Sequence, residues 1–186
     1  LSKYDNIFNN DNKEAELNIY IALKELGEYN MISPVIRSIR HTSLIVEIIE
    51  EQFEYNFYDF CKTIQPTTAT LLSCYFQIFV ALFELKKMNF HHMHCNGLNI
   101  RVSFDQPKTL YYNGRSIHNN SIKVRLTNFR YSMPVSKEGN YLRDFDSWML
   151  LSYCFKDYLT RAGYVQTFPV TIDQKIQIYE SIALCT

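Results

Sequence analysis

Two stretches decide how this chain reads: Phe90-His91-His92-Met93-His94-Cys95-Asn96-Gly97-Leu98-Asn99-Ile100-Arg101-Val102, and Ile122-Lys123-Val124-Arg125-Leu126-Thr127-Asn128-Phe129-Arg130. The first crowds His91, His92, His94 and Cys95 together, and imidazole and thiolate are zinc ligands. Neighbours this close in one strand point in different directions, however, and a structural zinc site draws on two separated ligand pairs. His41 or His118 would have to be brought near to complete a set, so zinc is the minor reading and no metal is expected. A nucleophile pair built on Cys95 is weaker still, because nothing in the sequence suggests a third, orienting group.

Taken together, the two stretches resemble the catalytic core of a protein kinase with its chemistry removed. A kinase carries H-R-D-x-x-x-x-N, in which the Asp orients the substrate hydroxyl and the Asn holds a metal. The spacing survives here as His92-Met93-His94, four intervening residues, then Asn99. His94 stands at the Asp position and Asn96 where the resemblance implies a lysine. The following strand ends in Asn128-Phe129-Arg130 in place of D-F-G. Asn for Asp removes a full negative charge from the group that would hold Mg²⁺, and Arg130 puts a bulky cation where a flexible glycine belongs. The resemblance therefore implies degenerate positions at His92, His94, Asn96, Asn99, Asn128, Phe129 and Arg130, with no catalytic residue and no cofactor.

The order of the surrounding segments supports the same likeness. Lys13 to Leu26 places Leu17, Tyr20 and Ile21 near helical spacing and is similar to the kinase helix C, with Glu14 or Glu16 as its glutamate. Pro34 to Arg40 and Ser43 to Ile49 are β-branched runs parted by His41-Thr42, as expected of a strand pair. A hinge at Glu50 to Glu54 and a short helix over Tyr55 to Ile64 follow. Thr70 to Met88 suits a buried helix; a membrane span is the alternative, disfavoured because Gln77 interrupts it and Glu84, Lys86 and Lys87 close it. Phe104 to Asn120 is an insertion whose Tyr111-Tyr112-Asn113-Gly114 suits a hairpin turn. Asn140 to Leu151 resembles the D-x-W-S helix of the kinase C-lobe, with Asp144 as its structural anchor and Phe145, Trp148, Leu151 and Phe155 facing the core.

Among kinases the wording around the two loops is most similar to the virion kinases of poxviruses and other large DNA viruses. The expected fold is α+β, mainly α: one truncated kinase-like domain spanning 1–186, with an N-lobe remnant and hinge over 1–54 and a helical C-lobe-like core over 55–186. The Gly-rich loop and strand-three lysine of a kinase have no good counterpart. The five glycines are too scattered, and Lys3 lies in a poor central strand. Leu1 in place of a methionine suggests a trimmed chain or a fragment.

Composition sets the remaining bounds. With 186 residues, 47% of them hydrophobic, one sizeable core is the economical expectation. Nineteen basic residues balance 19 acidic ones, which gives no electrostatic footprint for nucleic acid. Cys61, Cys74, Cys95, Cys154 and Cys185 are odd in number and widely spaced, so a reducing compartment is the default. No signal peptide, repeat or linker is legible. The expectation is a catalytically inactive interaction protein or virion component, in a virion or in the host cytoplasm or nucleus. Its partner would be a viral structural protein or a host kinase. Two alternatives are a decoy that binds and inhibits a genuine kinase, and a residual phosphotransferase with His94 as base and Asn99 on the metal.

Overall fold

The computed structural model describes residues 10–27, 31–41 and 46–134. The expected Asp144 anchor and its helix, Lys3 and the C-terminal segment lie outside them, as do the side chains of Glu14 and His41. The chain runs α1 (Asn10–Glu25), β1 (Ile36–His41), β2 (Val46–Glu50), β3 (Tyr55–Asn56), α2 (Phe57–Ile64), α3 (Thr68–Lys87), β4 (Phe90–His91), β5 (Ile100–Phe104), β6 (Thr109–Tyr112), β7 (Arg115–His118), β8 (Ile122–Leu126) and β9 (Met133–Pro134). Between β8 and β9 lies one 3₁₀ turn, Phe129–Tyr131. Over the described residues the architecture is thus mixed helix and strand. Short strands flank both polar loops and the insertion adds a hairpin, alongside three helices.

Local chemistry sets the helix boundaries. Asn56 caps α2 by accepting the Asp59 N–H at 2.8 Å, and Gln65 ends it in the left-handed region (φ 52°). Thr67 caps α3, its hydroxyl accepting the Thr70 N–H at 3.2 Å. This helix is long and apolar enough to cross a membrane, yet 56% of its most apolar window is buried inside the protein. Cys74, Ile78, Ala81 and Leu85 of α3 belong to one core with Ile100 and Val102 of β5 and Ile122, Val124 and Leu126 of β8.

Among the described residues the strands form four small sheets, β1–β2, β3–β5–β8, β4–β9 and β6–β7. β5 and β8 are antiparallel with Ile100 opposite Leu126, Arg101 opposite Arg125 and Val102 opposite Val124. Period-two alternation buries Ile100, Val102, Ile122, Val124 and Leu126 on one face and sends Arg101, Lys123 and Arg125 to the other. The β6–β7 hairpin turns at Asn113 (φ 47°) and Gly114 (φ 75°), the paired positive φ of a type I′ turn. At its neck, the buried Asn119 accepts from Lys108 N (2.9 Å) and Ser121 N (3.1 Å) and donates to Gln106 O (2.9 Å). Tyr112 anchors the hairpin to α3, its hydroxyl donating to Glu84 Oε1 at 2.5 Å. Lys87 ion-pairs with that carboxylate (2.8 Å) and lies over the Phe83 and Tyr112 rings.

Candidate functional site

The two sequence stretches meet where α3 and β4 deliver one loop and β8 the other. The buried His92 holds the junction: its Nδ1 accepts the His94 N–H at 3.3 Å, which leaves Nε2 as the protonated nitrogen, donating to Thr127 O at 3.0 Å. Ser132 adds a bond from its hydroxyl to His92 O (3.3 Å). Asn96 shapes the outer bend, its side-chain oxygen accepting from Leu98 N (3.0 Å) and Asn99 N (3.3 Å). Asn99, also buried, gives its backbone carbonyl to the Thr127 N–H (2.9 Å).

Beyond β8, Asn128 adopts φ 63°, a conformation Asn tolerates well, and turns the chain so that Phe129 is driven inward. Its buried ring stands edge-on to His92 (5.0 Å between centroids) and to Tyr20 of α1 (5.5 Å). The Phe129 N–H also points at the Tyr20 hydroxyl, 3.5 Å away. One aromatic column therefore joins the first loop, the second loop and α1. Burial pushes the Tyr20 phenol well above its ordinary value, and the nearby Glu16 and Glu50 carboxylates push it further. Glu16, one of the glutamates expected on α1, lies near Tyr20 and Arg130. Burial raises its carboxyl, and the Arg130 guanidinium offsets part of that rise.

His94 stands half-buried, its ring edge-on to Tyr131 at 4.8 Å, and burial lowers its pKa. The sequence likeness assigns Asn99 and Asn128 the places of metal ligands, and their geometry tests that assignment. Asn99 Nδ2 donates to His94 O (2.9 Å), so its oxygen faces the other way, where it accepts from Asn128 Nδ2 at 3.1 Å. A cation needs lone pairs from both residues, whereas Asn128 presents an N–H to the Asn99 oxygen. In this arrangement the Asn128 amide, and not a cation, satisfies the Asn99 oxygen. Among the described residues no group of three or more His, Cys, Asp or Glu side chains gathers as a metal set. His92 is committed to backbone partners, and Cys95 packs in the core.

Beside the loops, the charged face of β5–β8 is covered by the segment following β2. Glu51 ion-pairs with Lys123 (2.7 Å to Oε1), and Lys123 Nζ also lies 5.4 Å from the Phe53 ring centre. Glu50 accepts from the Thr127 hydroxyl at 3.3 Å, and burial raises its carboxyl despite that bond and the nearby Arg101. Arg125 is largely buried, which lowers its pKa, while Glu51 and Asp105 counter that effect. Residue patterning located the two loops, and put Tyr20 on a helix face and Glu50 at a hinge, but gave no site role to these two, to Thr127 or to the three cations. The cations had a usable signal: Ile-Lys-Val-Arg-Leu at strand period fixes Lys123 and Arg125 on one face. Glu50 and Thr127 had none, because they lie far apart in sequence and meet only in the fold.

No family profile matches the chain, and no curated protein matches it. Among solved structures, the chain is similar to a crystal structure described as a kinase domain, with a TM-score of 0.47 and 16% identity. The match covers 70% of this chain and 42% of that one, so the chain spans less than half of that kinase domain.

Proposed function

We propose that this is a kinase-like protein without phosphotransferase activity, a virion or interaction component of a large DNA virus that works by binding another protein. The observation carrying this reading is the Asn128–Asn99 hydrogen bond, which closes the space between the two loops with the protein's own amides. Three features add support. His94 stands where the likeness would require a carboxylate, its ring packed edge-on against Tyr131. Arg130 occupies the third place of the second motif, and its charge lowers the Glu16 carboxyl of α1 against the rise from burial. Lastly, Lys123, Glu51 and Phe53 cover the sheet face next to the loops. The loops nevertheless keep their hydrogen bonds and aromatic column, as expected of a fold maintained for shape.

The test is thermal unfolding of the purified chain with ATP plus Mg²⁺ or Mn²⁺, followed by partner capture. A native-state binder must raise the midpoint. No shift, together with co-purification with assembled particles, is the expected outcome. A clear rise accompanied by phosphate transfer would sink the reading, and co-purification with an active kinase whose activity falls would turn it into a decoy.

A further inference from the structure

We propose that Asn128 is a built-in substitute for a cation: its side-chain N–H fills the role between the two loops that an ion would otherwise have to fill. The inference rests on the non-catalytic reading above and extends it to how the site holds its shape.

The argument is one of polarity, and it starts at a backbone carbonyl. His94 O can only accept, so the Asn99 group 2.9 Å from it must be the NH₂. That choice turns the Asn99 oxygen toward Asn128, and an oxygen there can be satisfied only by a donor or a positive charge. Asn128 supplies the donor at 3.1 Å. Asn99 is itself fixed from both sides, by its N–H to Asn96 O (3.0 Å) and by its carbonyl to Thr127 N (2.9 Å). It is also buried, so rotating its amide would set NH₂ against NH₂ at one end and oxygen against oxygen at the other. The orientation thus runs one way from His94 through Asn99 to Asn128, and the loops close without an ion.

An aspartate at position 128 would break this chain of donors in a way that identifies it. Asp tolerates the φ of 63° as Asn does and is nearly the same shape, so the backbone is not penalised. Its carboxylate, however, would place oxygen against the Asn99 oxygen, a pair that needs a cation between them.

The experiment compares wild type, Asn128→Asp and Asn128→Gly by thermal unfolding in EDTA and in excess Mn²⁺. Asn128→Gly removes the amide without opposing the positive φ. In EDTA both variants should unfold about 2–4 °C below wild type for each kcal/mol lost. Mn²⁺ should return Asn128→Asp toward the wild-type midpoint and leave wild type and Asn128→Gly unmoved. Should Asn128→Asp not fold in EDTA, recovery of folded protein on refolding with Mn²⁺ counts as the same result.

An Asn128→Asp protein indifferent to Mn²⁺, folded or not, overturns the proposal. A rise of the wild-type midpoint with Mn²⁺ alone also overturns it. Phosphate transfer by wild type would instead overturn the non-catalytic reading and is measured separately.

Discussion

Gln77 of α3 grips Val124 of β8 as a neighbouring strand would: the Val124 N–H donates to Gln77 Oε1 at 3.0 Å, and Gln77 Nε2 donates to Ile122 O at 3.0 Å. Ser73 takes a further bond from the same amide at 3.3 Å. The polar residue that interrupts an apolar helix therefore satisfies the edge of a buried strand.

Replacing it with an isosteric hydrocarbon should accordingly damage the protein. Gln77→Leu leaves one buried donor and one buried acceptor of β8 unpaired, each costing about 1–3 kcal/mol. Urea unfolding should show a loss of roughly 2–5 kcal/mol on that basis, although the helix becomes more apolar. A variant as stable as wild type would mean that water or a shifted strand replaces the amide.

Phe129 should be the most costly single truncation in the second loop. Its ring is fully buried between His92 and Tyr20, so Phe129→Ala should lose about 3–5 kcal/mol. Tyr20→Phe keeps the ring and removes only the hydroxyl, so a loss of about 1 kcal/mol is expected. Similar losses for the two variants, read from equilibrium denaturation, would contradict the column.

Glu50 gives a pH signature with a definite sign. Burial raises its folded-state value above the unfolded one, so the folded protein holds the proton more tightly. Its contribution is fully present below the unfolded value and is lost as pH rises through the folded value. Glu50→Gln keeps an acceptor for the Thr127 hydroxyl and has nothing to titrate. Between about pH 5 and about pH 8 the variant's denaturation midpoint should fall less than that of wild type. Parallel curves would rule Glu50 out as the source.

Lys123 and Glu51 should be coupled to each other. Both are under a third exposed, and the ammonium sits 2.7 Å and 2.8 Å from the two carboxylate oxygens. A double-mutant cycle with Lys123→Met and Glu51→Gln should return a coupling of about 1 kcal/mol, within a range of roughly 0.5–3. A coupling near zero would show that the pair is decorative and that the segment is held by its backbone bond, Glu51 N to Val35 O at 2.8 Å.

Much of this fold is written in short-range patterns. The helical spacing around Tyr20, the alternation over Ile122 to Leu126 and the Asn113-Gly114 pair each specify a local structure that the fold adopts, with boundaries shifted by a few residues. α3, for instance, begins at Thr68 rather than Thr70 because Thr67 offers a cap just after Pro66. The positions of both loops were legible for the same reason, since their residues lie close together in sequence. What joins the loops was not legible. The orientation of the Asn99 amide is dictated by the His94 carbonyl, and Gln77 reads as a blemish in an apolar run until β8 is laid against it. Such pairings depend on which groups would otherwise remain unsatisfied in the interior, a property of the assembled chain.

The β6–β7 hairpin, stitched at its neck by Asn119, also bears on the order in which the protein assembles. It makes the connection from β5 to β8 a chain of nested near-neighbour pairings, so the ribbon can zip from the Asn113-Gly114 tip toward Ile100 and Leu126 without waiting for distant segments. Tyr20 and Phe129, by contrast, must close a loop of more than a hundred residues before they touch. In pulse-labelled refolding the amides of β5 to β8 should gain hydrogen-exchange protection before those of α1; protection of α1 first would reverse that order.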